Sequence, residues 1–388
     1  MNKKTTFVAL CLAMSLGSWA QTKQGGISPQ MLSEIQKLQS QTPASKALFN
    51  AIAANNIDDL VKNHANQGPV DTHFSVETPA QSIHDQKSSG RCWMFSGFNV
   101  LRSNFAKAHG DSLKVELSHD YLFFYDQLEK ANLMLQGVID NAKKPIDDTR
   151  VQFFFKSPIN DGGTFCGVAD LADKYGVVPM SIVPETYSAE NTSRISRLVA
   201  SKLREFGLEL RDMVAKGKNA KAINERKTQM LATVYNMLSM TLGEPVKEFT
   251  YAFTDKNGKT VGTPKKYTPK EFFHEVVGDG IKGTFIMVMN DPRRPYHKTY
   301  EVEYDRHTYD GTNWKYLNLP MDEIAQLAIA SLKDGRKMYS SYDVGKQYDR
   351  KRGLLDVNNY DYASLFSTTF GMDKAQRIST FDSGSTHA

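Results

Sequence analysis

The chain has 388 residues, 40% of them apolar and 23% charged. These are the proportions of a globular protein with enough chain for one large or two ordinary domains. The formal charge of +5 falls to about +3 once two leader lysines are discounted, too weak a basic excess to call for nucleic acid or an anionic membrane. Three cysteines without a CxxC pair leave a thioredoxin-like redox centre without its motif. The His and Cys spacings suggest no structural zinc, and no metal or organic cofactor is expected.

Lys3-Lys4 precede an apolar run from Phe7 to Leu16, and Ser18-Trp19-Ala20 gives a small-x-small cleavage pattern. Residues 1–20 are therefore expected to be a secretory signal peptide, with Gln21 as the new N-terminus and a periplasmic or secreted product. The alternative, a membrane anchor, needs a longer apolar run. Cys11 goes with the leader. Cys92 and Cys166 remain, and an oxidising compartment permits them to pair.

Residues 21–70 form an N-terminal segment, a polar tether with one short helix to residue 45 and then helical from Ala44 to Ala65. His73 to Glu77 alternates as a short strand does, and Pro79 ends it. From Cys92 the pattern turns helical: Met94, Phe98, Leu101 and Phe105 share one face, while Trp93 and Phe95 add apolar surface elsewhere, as in a core helix. His109-Gly110 ends it. Ser118-His119-Asp120 caps a second apolar helix, Tyr121 to Leu135. Asp161-Gly162-Gly163 is a turn before a helix from Val168 to Tyr175 that closes at Gly176. Residues 194–242 predict two charged helices split at Lys216-Gly217-Lys218, the best candidate for an inserted projection.

After Pro245 the chain becomes mixed. Val246 to Phe253 reads as a strand, and Asn257-Gly258 signals a hairpin. Thr268-Pro269-Lys270-Glu271 is a capping box with Pro at the first helical position. Phe285 to Met289 reads as a buried strand, Met321 to Leu332 as a helix, and Met338 to Tyr342 as another strand.

The chemistry concentrates in Gln86-Lys87-Ser88-Ser89-Gly90-Arg91-Cys92-Trp93. A thiol at the first turn of a helix meets the positive end of the helix dipole and unpaired backbone N–H groups, which favour the thiolate. The Gln86 amide and the Cys92 N–H are the candidate donors to an oxyanion, and Gly90 gives substrate backbone room to approach. An ordinary buried thiol opening an apolar helix is an equal alternative on this local pattern.

The stretch Gln86 to Trp93 resembles the bleomycin hydrolase/aminopeptidase C family of papain-like cysteine peptidases. The likeness continues through Ser118-His119-Asp120-Tyr121-Leu122-Phe123-Phe124-Tyr125-Asp126, Lys174 to Pro179, Pro184-Glu185-Thr186-Tyr187-Ser188, Ala328 to Gly335, Asp343-Val344-Gly345-Lys346 and Tyr360-Asp361-Tyr362. It covers nearly everything after about residue 70. Ser89 stands where secreted papain relatives have a disulfide cysteine, the first in their signature.

The resemblance implies a papain-like α+β fold over residues 71–388, with a helical left part carrying Cys92 and a β-rich right part carrying the base. It implies a cysteine aminopeptidase acting on peptides and a hexameric ring, and residues 194–242 are the expected source of some of its contacts. The family's catalytic His falls in a Thr-His-Ala segment, here Thr386-His387-Ala388, so the implied site is Cys92, His387 and Gln86. The family's orienting Asn, further strands and C-terminal tail have no counterpart before Ala388. A truncated, inactive product and a non-catalytic binding protein on the same scaffold are the alternatives. Nucleic acid, which some relatives bind, is not an expected partner at this charge.

Overall fold

The computed structural model describes residues 25–39, 42–79, 82–384 and 386–388; the expected leader, residues 1–20, lies outside them. Contacts divide the chain into two units, Met1–Gln67 with Asn358–Phe370, and Gly68–Val357 with Gly371–Ala388. In the first unit, α1 (Pro29–Leu38) and α2 (Pro43–Ala54) both start with Pro behind a capping hydroxyl, Ser28 and Thr42. The helix expected to run on to Ala65 stops at Ala54. Asn55 closes it in extended backbone, and Asn56 accepts from the Asp58 N–H to start α3 (Ile57–Leu60) afresh. A short helix, Tyr362–Phe366, joins this unit: its Tyr362 hydroxyl donates to Asp58 (3.1 Å) and the Asp361 N–H donates to the Val61 carbonyl (2.7 Å).

The second unit is built on α4 (Cys92–Ala108), whose residues Trp93, Met94, Phe98, Leu101 and Phe105 are buried. A short strand, β1 (Leu113–Lys114), leads to α5 (His119–Asp140). The Ser118 hydroxyl caps α5 by accepting from the Tyr121 N–H (3.1 Å) and donates to the Val183 carbonyl (2.6 Å). α6 (Thr149–Lys156) and α7 (Phe165–Tyr175) follow. α4 meets α7 at Gly97, where an added Cβ would lie 2.6 Å from a Val168 methyl. α5 is covered by α9 (Ser193–Ala215) and α10 (Ala220–Leu242), which come after the one-turn α8 (Tyr187–Glu190). α9 lays Ile195, Val199, Leu203, Phe206 and Leu210 on the core, and α10 does the same with Met230, Val234, Leu238 and Leu242. The break between them falls at Gly217, in left-handed backbone, and Asn219 caps the second helix.

The strands are short and gather in small sheets. β2 (Phe249–Tyr251) pairs antiparallel with β4 (Lys265–Tyr267), and β3 (Thr254–Asp255) pairs with β1. The Thr268–Glu271 capping box opens α11 (Pro269–Val277), whose Phe272 and Phe273 are buried. β5 (Val288–Met289), β7 (Lys315–Asn318) and β6 (Lys298–Glu301) form a three-stranded sheet in that order, β5 parallel to β7 and β6 antiparallel to it. α12 (Met321–Lys333) follows. β8 (Tyr342–Asp343) pairs with β11 (Thr386–His387), and β9 (Tyr348–Asp349) with β10 (Leu354–Leu355), all antiparallel.

Four strand expectations shrink or fail. Val246 to Phe253 keeps only Phe249–Tyr251 as β2. Phe285 to Met289 yields only the two residues of β5, and Ile286 is 82% exposed, so this is no buried strand. Met338 to Tyr342 delivers a strand only from Tyr342, and His73 to Glu77 none. An apolar or alternating run becomes a strand only where a neighbour supplies hydrogen-bond partners, and β5 pairs through two residues alone, Val288 with Leu317 and Met289 with Asn318.

The Gly97 contact sets a measurable constraint. Gly97→Ala pushes a methyl into Val168 and should destabilise the chain by about 1–3 kcal/mol. A urea midpoint equal to that of the parent would show that α4 and α7 are not closely packed there.

Candidate active site

Residues 86–91 are folded into a bridged loop ahead of the thiol. The Gln86 side-chain amide donates to the Ser89 carbonyl (2.6 Å), and the Ser89 hydroxyl donates back to the Gln86 carbonyl (2.7 Å). Lys87 between them takes left-handed backbone, φ 54°, unusual for a residue with a side chain. The Ser88 N–H donates to the Glu190 carbonyl (2.9 Å). Cys92 then opens α4 as its first helical residue, partly exposed, after an Arg91 that gives the first turn no side-chain cap. The thiol thus sits at the positive end of the α4 dipole, with no side-chain cap in competition.

Asp161 ties this loop to the Gly162-Gly163 turn. Its Oδ2 accepts from the Gly90 N–H (2.6 Å) and from the Thr192 hydroxyl (2.5 Å), and its carbonyl accepts from Trp93 Nε1 (2.9 Å). An added Cβ on Gly90 would sit 2.4 Å from Asp161 Oδ1. Gly90 is therefore required by Asp161, a constraint additional to the room expected for substrate backbone. Behind the turn lies a buried polar cluster. Lys130 donates to the Gly162 carbonyl (2.6 Å) and to Asp126 Oδ2 (3.0 Å), and His307 Nδ1 meets Asp126 Oδ1 at 2.5 Å. The His307 ring fills the space a Cβ would need at Gly163 and Gly167. Burial, then the Lys130 charge, lowers the His307 pKa, and His307 Nε2 accepts from the Thr164 N–H (3.4 Å). The ring is neutral, with its proton on Nδ1.

A second buried cluster lies beside the loop. Arg91 has no exposed surface; its Nη1 is 2.8 Å from Glu185 Oε2, and its guanidinium lies over the Phe95 and Phe123 rings. His119 stacks on Phe95 at 3.7 Å and reaches Glu185 Oε1 at 3.4 Å. Arg91 and His119 thus meet Glu185 at ion-pair distance, without aligned hydrogen bonds. Burial drives His119 down to about 4, so it is neutral. Burial works upward on Glu185, but His119 and the Arg91 charge hold it low. Next door, burial and then the Glu185 charge push Asp120 up to about 7.

His387 sits exposed on β11, paired across the ladder with Tyr342. The Gly384 N–H donates to Asp343 Oδ2 (2.9 Å), and Lys346 donates to Asp382 Oδ2 (2.5 Å), anchoring the approach to this strand. Three residues before β8, Tyr339 packs its ring on Phe165 (5.5 Å). Burial, and then the neighbouring Cys92 and Cys166 thiols, raise the Tyr339 phenol. Cys166 is free, as is Cys92; burial pushes it up to about 11, and it lies 2.8 Å from the Thr164 hydroxyl. Gln86 and Cys92 thus lie on one continuous segment, the bridged loop and the start of α4, while His387 lies on β11 opposite Tyr342. Sequence reasoning missed Asp161, Arg91, Glu185 and His307 as organising groups. Only Asp161 carried a signal, its place before Gly162-Gly163. Among the described residues no group of His, Cys, Asp and Glu is arranged to hold a metal ion.

The sequence pattern of the Peptidase C1-like family matches residues 26–388. An aminopeptidase C of Lactobacillus delbrueckii subsp. lactis is 37% identical over 352 residues, 90% of this chain and 78% of that protein. Bleomycin hydrolase of Homo sapiens is 36% identical over 326 residues, 81% of this chain and 70% of that protein. The fold is similar to the crystal structure of PepW from Lactobacillus rhamnosis HN001, with a TM-score of 0.85 and 33% identity over 93% of this chain and 81% of that one.

The clustered His119 and Asp120 titrate in opposite senses. Folding binds a proton at Asp120 between its unfolded value near 4 and about 7, so that group's contribution to stability falls as pH rises through this window. His119 binds fewer protons folded than unfolded between about 4 and the ordinary imidazole value of 6.5, so its contribution rises with pH. Asp120→Asn removes the first effect alone. Urea melts at stepped pH should show the variant gaining on the parent from pH 4 to 7 by up to about 4 kcal/mol. A pH-independent difference would refute a raised Asp120.

Proposed function

Because the chain belongs to the Peptidase C1-like family, has its α+β papain-like fold and is a cysteine peptidase, we propose that it removes N-terminal residues from peptides, with Cys92 as nucleophile, His387 as acid and base, and Gln86 as oxyanion donor. The observation that carries this reading is the placement of Cys92 at the first position of α4, directly after a loop in which the Gln86 amide is fixed on the Ser89 carbonyl. The names of the aminopeptidase C and bleomycin hydrolase relatives support the substrate class.

The Cys92 thiolate attacks the carbonyl carbon of the first peptide bond, and the carbonyl electron pair moves to oxygen. One Gln86 amide hydrogen is engaged by the Ser89 carbonyl. The second, with the Cys92 N–H, meets the oxyanion. Collapse breaks the C–N bond as the His387 imidazolium gives its proton to the leaving amine, leaving a thioester on Cys92. His387 then takes a proton from water, hydroxide attacks the thioester, and the amino acid departs while Cys92 regains its thiolate. The proposal extends to export past the leader at residues 1–20 and to a homohexamer in which residues 194–242 make contacts. N-terminal sequencing of the mature protein, expected to begin at Gln21, and light scattering of the purified chain test these two points.

Cys92→Ala should abolish turnover of an aminoacyl fluorogenic amide, and retained turnover would overturn the assignment of the nucleophile. Gln86→Ala should lower kcat by about 10²–10³ with little change in KM. An unchanged kcat would remove Gln86 from the site.

A further inference from the structure

Gln86 reaches an oxyanion only if residues 86–91 stay in one conformation, and nothing covalent holds them there. The first anchor is the reciprocal bridge in which Gln86 Nε2 donates to the Ser89 carbonyl and Ser89 Oγ donates to the Gln86 carbonyl. It closes around Lys87 in left-handed backbone. The second anchor reaches the same hydroxyl from below: Arg91 Nε donates to Ser89 Oγ (3.1 Å). Arg91 is fully buried and neutralised by Glu185 at 2.8 Å, between the Phe95 and Phe123 rings. The Ser89 hydroxyl is thus used in both directions, as acceptor from Arg91 and as donor to Gln86.

We infer that Ser89 is a positioning residue for the oxyanion donor, locked by the buried Arg91–Glu185 pair, so that Glu185, Arg91 and Ser89 act in series to aim the second amide hydrogen of Gln86. This rests on the reading of Gln86 as oxyanion donor and of Cys92 as nucleophile. A fixed donor lowers the barrier because it needs no reorganisation as charge develops, and a shift of about 1 Å is enough to cost on the order of 10²-fold in rate. A loop that served only to start α4 would affect the thiol and the donor alike. A clamp on Gln86 affects the donor alone.

That difference gives the test. Alkylation of Cys92 by iodoacetamide displaces iodide at a methylene carbon and develops no oxyanion, so it reports the thiolate without the donor. Ser89→Ala should lower kcat on an aminoacyl amide by about 10- to 100-fold, with KM and the alkylation rate within about twofold of the parent. Ser89→Thr, which restores the hydroxyl, should recover most of kcat. Glu185→Gln should show the same signature, and if it does not fold, Ser89→Ala decides alone. Parental kcat in Ser89→Ala overturns the clamp, as does an alkylation rate that falls in step with kcat or a Ser89→Thr variant no better than Ser89→Ala. A parent whose Cys92 resists alkylation, or a Cys92→Ala variant that still turns over, overturns instead the reading of the site.

Discussion

Arg91 is a guanidinium with no exposed surface on the residue immediately before the candidate nucleophile. A buried cation must be neutralised in place, since desolvation costs several kcal/mol per ion. Glu185 meets that need and, in doing so, fixes the segment that carries it against the start of α4. The same carboxylate raises Asp120 and draws in His119, which stacks on Phe95 of α4. One charge requirement thus organises α4, α5 and the 185–190 segment around one turn of chain. Breaking such a pair by removing one partner is far more costly than its net contribution to stability, so its evident value here is the geometry it imposes.

The buried cluster of Asp126, Lys130 and His307 does for residues 160–167 what Arg91 and Glu185 do for the loop. Asp126, Lys130 and His307 hold the carbonyls and flank the glycines of residues 160–167. Asp161 then joins the two, its side chain on the Gly90 N–H and its carbonyl on the Trp93 indole. The exposed backbone of Gly163 and the thiol of Cys92 are presented by scaffolds held by largely buried charged groups, an arrangement suited to holding a site still.

Much of this was legible in the sequence because it depends on neighbours a few residues apart. The apolar spacing from Met94 to Phe105, the cap at Ser118, the break at Gly217 and the box at Thr268 each became the element they predict. The thiol at a helix start and the Gln six residues earlier were likewise local patterns. What stayed hidden is what depends on distance. Asp126 and His307 are 181 positions apart, and nothing in either neighbourhood marks one for the other. Nothing in the Arg91 neighbourhood marks it for burial until Glu185 is placed beside it. Strand lengths failed for the same reason: the Phe285 to Met289 run has the right composition, but its ladder partners extend over two residues only.

The missing side chain at Gly90 has a consequence for how this protein can vary. Asp161 occupies the volume a Cβ would take, at 2.4 Å, so positions 90 and 161 form a steric lock and key rather than two independent sites. A larger residue at 90 is acceptable only with a smaller one at 161, and that exchange removes the acceptor of the Gly90 N–H and of the Thr192 hydroxyl together. The two positions are epistatic: neither single change lies on an easy path, and the pair of segments they join is constrained to drift as one.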